Sequence, residues 1–154
     1  MAFSVASPAF PNGQRIPPRY SKDGGNVSPP LEWHDAPRNT RSFALVVEDP
    51  DAPKGTFRHW AIYNVPPAHQ GLAEGSGSQP PAGSLVMGVN DFGNRGYDGP
   101  QPPPGHGTHH YRFRLLALDV PELSLPDRAS VKDVMDAAHP HVIAETETVG
   151  TFER

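Results

Sequence analysis

Two short segments of the 154-residue chain carry the side chains that could do chemistry, and both follow one design. Asp49-Pro50-Asp51-Ala52-Pro53 leads to His59-Trp60, and Gly99-Pro100-Gln101-Pro102-Pro103-Pro104-Gly105 leads to His109-His110-Tyr111. In each, a proline-stiffened loop feeds a histidine into strand-forming sequence. Rigid loops on a sheet scaffold are where polar groups are held at fixed positions. Imidazole donates to an oxyanion in either protonation state, and a neighbouring carboxylate favours its cationic form. Aspartate beside histidine therefore suits a small anion site, with Asp49 or Asp51 bonded to His59 or His109, or facing the ammonium of a zwitterion. Backbone N–H groups near Gly99 would complete an anion-binding concavity, to which Pro100 has no N–H to give.

Other readings of the same residues are weaker. An isolated Asp-Pro-Asp-Ala-Pro is a tight turn whose aspartates bond their own backbone, but a second loop of the same design favours a site. Pro102-Pro103-Pro104 between glycines reads as a rigid loop and not as a ligand for a proline-reading domain. His106, His109 and His110 could ligate metal with Asp49 or His59, yet a glycine-containing loop lacks the spacing of a metal site, so no metal or other cofactor is expected. A hydrolase built on an Asp-His pair is the remaining enzymatic alternative. No Gly-x-Ser-x-Gly turn, cysteine nucleophile or metal-binding helix motif accompanies it, so the expected protein is not an enzyme.

The elements that must position these residues follow from hydrophobic pattern. Arg41 to Glu48 is a buried strand ending at Asp49-Pro50, since the residue before proline is driven to extended geometry. His59 to Val65 is a second strand. Residues 66–83, rich in Gly, Pro and Ser, form a long connection ending near Ser84-Leu85-Val86-Met87. The longest strand spans His109 to Asp119, with His109, Tyr111, Phe113, Leu115 and Ala117 on one face and His110, Arg112 and Arg114 on the other. The same count puts His59, Ala61 and Tyr63 on one face, so each histidine stands at a strand mouth. Ser130 caps a helix with Val131, Val134, Met135 and Ala138 at i, i+3, i+4 and i+7. Pro140 suits a second short helix to about Ala144, before a closing strand over Thr146 to Phe152. The fold class is mainly β: an antiparallel β-sandwich with two short C-terminal peripheral helices.

Composition bounds the rest. The length suits a single domain over residues 1–154. Twenty prolines and 15 glycines, with apolar residues grouped between them, indicate turn-rich β structure and not disorder. A net charge of -4, with 13 basic residues scattered singly, leaves no electrostatic footprint for nucleic acid. The absence of cysteine removes thiol chemistry and disulfides. No transmembrane run, leader or basic amphipathic helix is visible, so a cytoplasmic protein without stable membrane attachment is expected.

The two segments resemble the signature regions of the phosphatidylethanolamine-binding proteins, in the prokaryotic branch often labelled Raf kinase inhibitor-like. Ser28-Pro29-Pro30-Leu31-Glu32-Trp33, Asn90-Asp91-Phe92-Gly93 and the ending from His141 to Phe152 resemble that branch too, so the likeness covers nearly the whole chain. It implies a Greek-key sandwich with an anion pocket for phosphate or a phosphoethanolamine-type headgroup at one end. By position it implies ligand-binding roles for Asp49, Asp51, Phe57, His59, Gly99, Pro100, His109 and Tyr111, and a monomer or homodimer. It also implies non-catalytic ligand capture coupled to a kinase or protease partner, with direct protein inhibition, the pocket secondary, as an alternative. Where the family usually carries arginine, this chain has His110; alternation points it away from the pocket, so scaffold support and not ligand contact should change. The chain lacks the extra C-terminal helix of eukaryotic members, which implies a more open pocket.

Overall fold

Alternating apolar residues and proline-bounded loops produce eight strands in the computed structural model, which describes residues 2–77 and 85–154. They are β1 (Ser4–Ala6), β2 (Leu31–His34), β3 (Ser42–Asp49), β4 (Phe57–Val65), β5 (Gly71–Leu72), β6 (Val86–Met87), β7 (His109–Leu118) and β8 (Val142–Phe152). The end of the expected 66–83 connection, and Ser84 beyond it, lie outside the described residues. Strands β1-β2-β5 form one antiparallel sheet and β6-β4-β3-β7-β8 a second. Between the sheets lies a core that includes Trp33, Phe43, Leu45, Trp60, Ile62 and Phe113.

Strand β3 is buried along its whole length because it is central and covered on both faces. Phe43, Leu45 and Val47 enter the core between the sheets. Ala44 and Val46 face the helix α1 (Val131–Ala138), in a smaller cluster with Val131, Val134 and Ala138. The helix begins at the expected cap: Ser130 accepts from the Asp133 N–H, and the Asp133 carboxylate accepts from the Ser130 N–H, both at 3.0 Å. This reciprocal arrangement satisfies two otherwise orphaned donors.

Two expectations are corrected. Pro140 opens only a single 3₁₀ turn, His139–His141, and the second helix does not form. Val142 and Ala144 pair instead with Leu118 and Ala117 of β7, and the gain from a continuous ladder outweighs the local helical preference. Strand β4 also departs from simple alternation. Its register against β3 slips between Val47 and Glu48, which face Trp60 and Arg58, leaving His59 as the extra residue of a bulge. Ala61 and Tyr63 therefore lie in the cluster beneath α1, while the His59 ring packs against Tyr111 at 5.3 Å.

Gly99 is held where no side chain fits. A Cβ there would collide with the Tyr20 carbonyl, while the Gly99 N–H donates to Asn26 Oδ1 at 2.8 Å. Gly99→Ala is expected to lower stability by about 1–3 kcal/mol, as overpacking against fixed backbone does, measurable as a reduced urea midpoint with an unchanged slope.

Candidate functional site

Antiparallel pairing brings the end of β3 beside the starts of its two neighbours. Asp49 pairs with Phe57, and Glu48 with both Arg58 and Arg112. Asp49, Phe57, His59, His109 and Tyr111 thereby converge on one cavity of roughly 170 Å³, with Phe92 and the loop residues Gln101, Pro102 and Pro103 completing its wall. The two proline-stiffened segments thus build one site. Phe57 and Phe92 meet edge to face at 4.7 Å, and both rings pack on His59, at 5.0 and 5.6 Å.

The hydrogen bonds decide which imidazole nitrogens face a ligand. His59 is 3% exposed, and its Nδ1 lies 2.8 Å from the Asp98 carbonyl oxygen. A carbonyl only accepts, so Nδ1 carries the proton and Nε2 is left for the cavity. Burial dominates its titration and depresses the pKa, against the opposing pull of the Asp98 carbonyl and the Asp49 charge. The buried His59 is accordingly a neutral ring presenting an acceptor at pH 7.

His109 is fixed from both sides. Its Nδ1 is 2.6 Å from Asp49 Oδ2, and Asp49 Oδ1 accepts from the Asp51 N–H at 2.8 Å. The carboxylate accepts, which assigns the Nδ1 proton to His109. On the far side, His109 Nε2 lies 2.6 Å from His106 Nδ1, so a single proton joins the two rings. The result is a chain from buried Asp49 through buried His109 to exposed His106. Burial first and the Asp49 carboxylate second push the Tyr111 phenol up, keeping it a hydrogen donor beside both histidines.

Three of the predicted positions serve the frame and do not line the cavity. Asp51 Oδ2 accepts from both the N–H and the Nδ1 of His110, each at 2.8 Å, which pins the first loop to the mouth of β7. His110 is exposed and faces away from the cavity, so the departure from the family arginine falls on scaffold support, as alternation predicts. The Gly99 N–H is spent on Asn26 and is not free for an anion, and the Pro100 carbonyl accepts from the Lys22 N–H at 3.0 Å.

The residue that sequence reading missed is Asp98. It is 4% exposed, and its carboxylate accepts from Lys22 Nζ (3.0 Å), Asn26 Nδ2 (2.9 Å), Asn90 Nδ2 (2.8 Å) and Asn94 Nδ2 (2.8 Å). Lys22 Nζ also sits 4.6 Å over the Phe92 ring. Asp98 immediately precedes the Gly99-Pro100 segment, the only signal that it had a role. Spacing alone offers His106 only as a metal ligand; among the described residues no cluster of His, Asp or Glu is placed to hold a metal ion.

The profile of the family described as "Phosphatidylethanolamine-binding protein" matches residues 6–153. The chain belongs to the phosphatidylethanolamine-binding protein family. Within it, the chain is 43% identical over 150 residues to a UPF0098 protein of Aquifex aeolicus, covering 97% of this chain and 88% of that one. It is 42% identical over 150 residues to Mycobacterium tuberculosis LppC, whose name marks a lipoprotein candidate, covering 97% and 72%. Among solved structures, Escherichia coli YbcL, titled a new member of the mammalian PEBP family, superposes with a TM-score of 0.93 at 32% identity, covering 100% of this chain and 99% of YbcL. The Chlamydia trachomatis homolog CT736 superposes at 0.87 with 39% identity, covering 99% and 98%. These likenesses place the chain in the prokaryotic branch of the phosphatidylethanolamine-binding proteins. Among the described residues no helix is long and apolar enough to cross a membrane.

Proposed function

We propose that this phosphatidylethanolamine-binding protein captures a small phosphorylated ligand, phosphate or a phosphoethanolamine-type headgroup, without chemistry, and takes up a proton as it does so. The observation that carries the reading is the pair of Nδ1-anchored imidazoles, His59 on the Asp98 carbonyl and His109 on Asp49, flanking Tyr111 in one cavity. Neither ring offers an oxyanion a donor from Nε2 while neutral, the anion must take the place of His106 Nδ1 at His109 Nε2, and Asp49 repels a bare dianion. An incoming anion is therefore bound together with one proton shared between its oxygens and the His59–His109 pair. An ammonium group finds its partner in Asp49 and its packing on Phe57 and Phe92. Among the described residues no serine, threonine, cysteine or lysine lines the cavity, which favours binding over hydroxyl, thiol or amine nucleophilic catalysis.

Isothermal titration with inorganic phosphate and with phosphoethanolamine tests this. Above the second pKa of the phosphate, about 6 for a phosphomonoester and about one unit higher for inorganic phosphate, the affinity should fall by about tenfold per pH unit, with one proton taken up per site in buffers of different ionisation enthalpy. Affinity flat from pH 6 to 8 overturns the reading. The reading extends to a cytoplasmic protein whose kinase or protease partner meets the pocket rim. A partner bound equally well by the His59→Ala, His109→Ala double mutant would place that contact elsewhere, and cell fractionation tests the cytoplasmic expectation against the lipoprotein name of LppC.

A further inference from the structure

The cavity of Asp49, His59 and His109 carries its own stand-in for a ligand. His109 is 1% exposed, and the Asp49 carboxylate, 2.6 Å from Nδ1, already orients its ring. Nε2 is left as an acceptor, and the group that fills it is the exposed His106, whose Nδ1 lies 2.6 Å away. His106 Nδ1 therefore supplies the proton of that contact while both rings are neutral. A protonated phosphate oxygen meets Nε2 in the same sense, its O–H standing where the His106 N–H stood. His106 and such an anion compete for one acceptor. Exchanging them leaves the His109 tautomer and its bond to Asp49 unchanged.

The loop that carries His106 divides into a tethered part and a part that can turn. Pro102 and Pro103 belong to the cavity wall and are tied down next to it. The Arg154 side chain donates to the Pro102 carbonyl and to Asp23, each at 2.6 Å, and Gln101 donates to Asp23 at 2.9 Å. The Gly105 N–H donates to the Arg154 carbonyl, and the His106 N–H to the Pro103 carbonyl, both at 3.1 Å. His106 itself stands between Gly105 and Gly107, at φ 76° and 95°, and a Cβ built on either glycine would meet nothing within 4 Å. Glycine at these two positions answers to backbone conformation and not to packing, as at a hinge. The exposed imidazole can thus swing outward while the proline wall keeps its place.

We propose that His106 is an autoinhibitory latch on this pocket: it occupies the ligand-facing nitrogen of His109, swings out when an anion binds, and so sets the affinity of the site. The proposal rests on the phosphate-capture reading and adds its regulation. A latch that is closed most of the time reduces the apparent affinity in proportion to the fraction of molecules that are open. One hydrogen bond of ordinary net strength holds it, so its removal should raise the affinity by roughly threefold to tenfold.

Calorimetric titration of the full chain with inorganic phosphate at pH 7 tests the latch. His106→Ala, at an exposed position that leaves the core untouched, should bind phosphate roughly threefold to tenfold more tightly than the wild type. His106→Asn, whose amide nitrogen can take the place of Nδ1 and donate to His109, should stay within about twofold of the wild type. Imidazole ¹⁵N NMR follows the displacement itself: the coupling between His106 Nδ1 and His109 Nε2 across their shared proton should vanish as phosphate saturates the wild type. Unchanged or weaker binding by His106→Ala overturns the latch, because the contact would then only satisfy a buried nitrogen or would help to hold the anion. A gain in His106→Asn equal to that in His106→Ala overturns it too, as does a coupling that survives saturation. Absence of phosphate binding in all three proteins defeats the capture reading and the latch with it, whereas binding without the gain defeats the latch alone.

Discussion

Asp98→Ala is expected to cost about 3–5 kcal/mol, the range for breaking a buried charge network, and to lower Tm by roughly 10 °C. Truncation strands the Lys22 ammonium and the amides of Asn26, Asn90 and Asn94, each of which donates to this carboxylate within 3.0 Å. It also loosens the 98–100 segment, whose backbone anchors His59 through the Asp98 carbonyl. Asp98→Asn keeps the shape but sets an NH₂ among donors, so it should recover only part of the loss. The same carboxylate shapes the response to acid. Burial pushes its pKa up, but the hydrogen bonds from Asn94, Asn26, Asn90 and Lys22 outweigh that and hold it below the usual 3.8. The unfolded chain then binds the proton more readily, so this contribution is complete above about pH 4 and is lost as pH falls through the lower folded value. His59 acts earlier and in the same direction: burial depresses its pKa below 6.5, so stability declines as pH drops beneath that value. Denaturation followed across pH should show two stages in the wild type, with the stage below pH 4 reduced in Asp98→Ala and not abolished, because Asp51 and Glu147 are also held below their ordinary values.

Asp49→Asn should strengthen inorganic phosphate binding at pH 8 by at least about fivefold and flatten its pH dependence. The Asp51 N–H holds Oδ1 as an acceptor, so the new NH₂ group faces His109 Nδ1. A donor there forces His109 into its other tautomer, with the proton on Nε2. The ring then offers an oxyanion that displaces His106 from Nε2 a donor without taking up a proton, and a carboxylate charge is gone from the cavity wall. Removing one unit charge at about 4 Å is worth from about 1 kcal/mol in water to about 4 kcal/mol near a protein surface, which sets a floor of about fivefold. Phosphoethanolamine should gain less than phosphate, because its ammonium loses the partner that Asp49 supplies. Calorimetry on both ligands at pH 6 and pH 8 separates these outcomes. If phosphate binding were lost with its pH slope intact, Asp49 would be holding the ligand and not the histidine.

Much of this was legible in the chain. Strand β7 could be read residue by residue because its ladder with β3 and β8 is continuous over the half nearest the site, so alternation alone put His109 and Tyr111 on one face and His110 on the other. The Ser130 cap of α1 was equally readable, since a capping box is a contact three residues long. His59 reached the same cavity by a different route from the one its spacing suggested. A bulge depends on how β4 registers against β3, and no periodicity within β4 contains that information. Pro140 shows the same competition, with a helical start overruled by the free edge of β7.

The sequence by itself determined the β architecture, the family and the shared face of His109 and Tyr111, because alternation, proline-bounded loops and paired motifs are local and each acts through its own residues. Tertiary structure alone decided where the polar atoms find partners. Gly99 and Pro100 are committed to Asn26 and Lys22, Asp51 to His110, and Asp98 to donors from the distant 22–26 segment and the nearby 90–94 loop. It also left Thr40 without a partner at the far end of the sandwich. The reason is that a hydrogen bond is satisfied by whichever group packing brings within about 3 Å, and packing joins residues that the order of the chain keeps far apart.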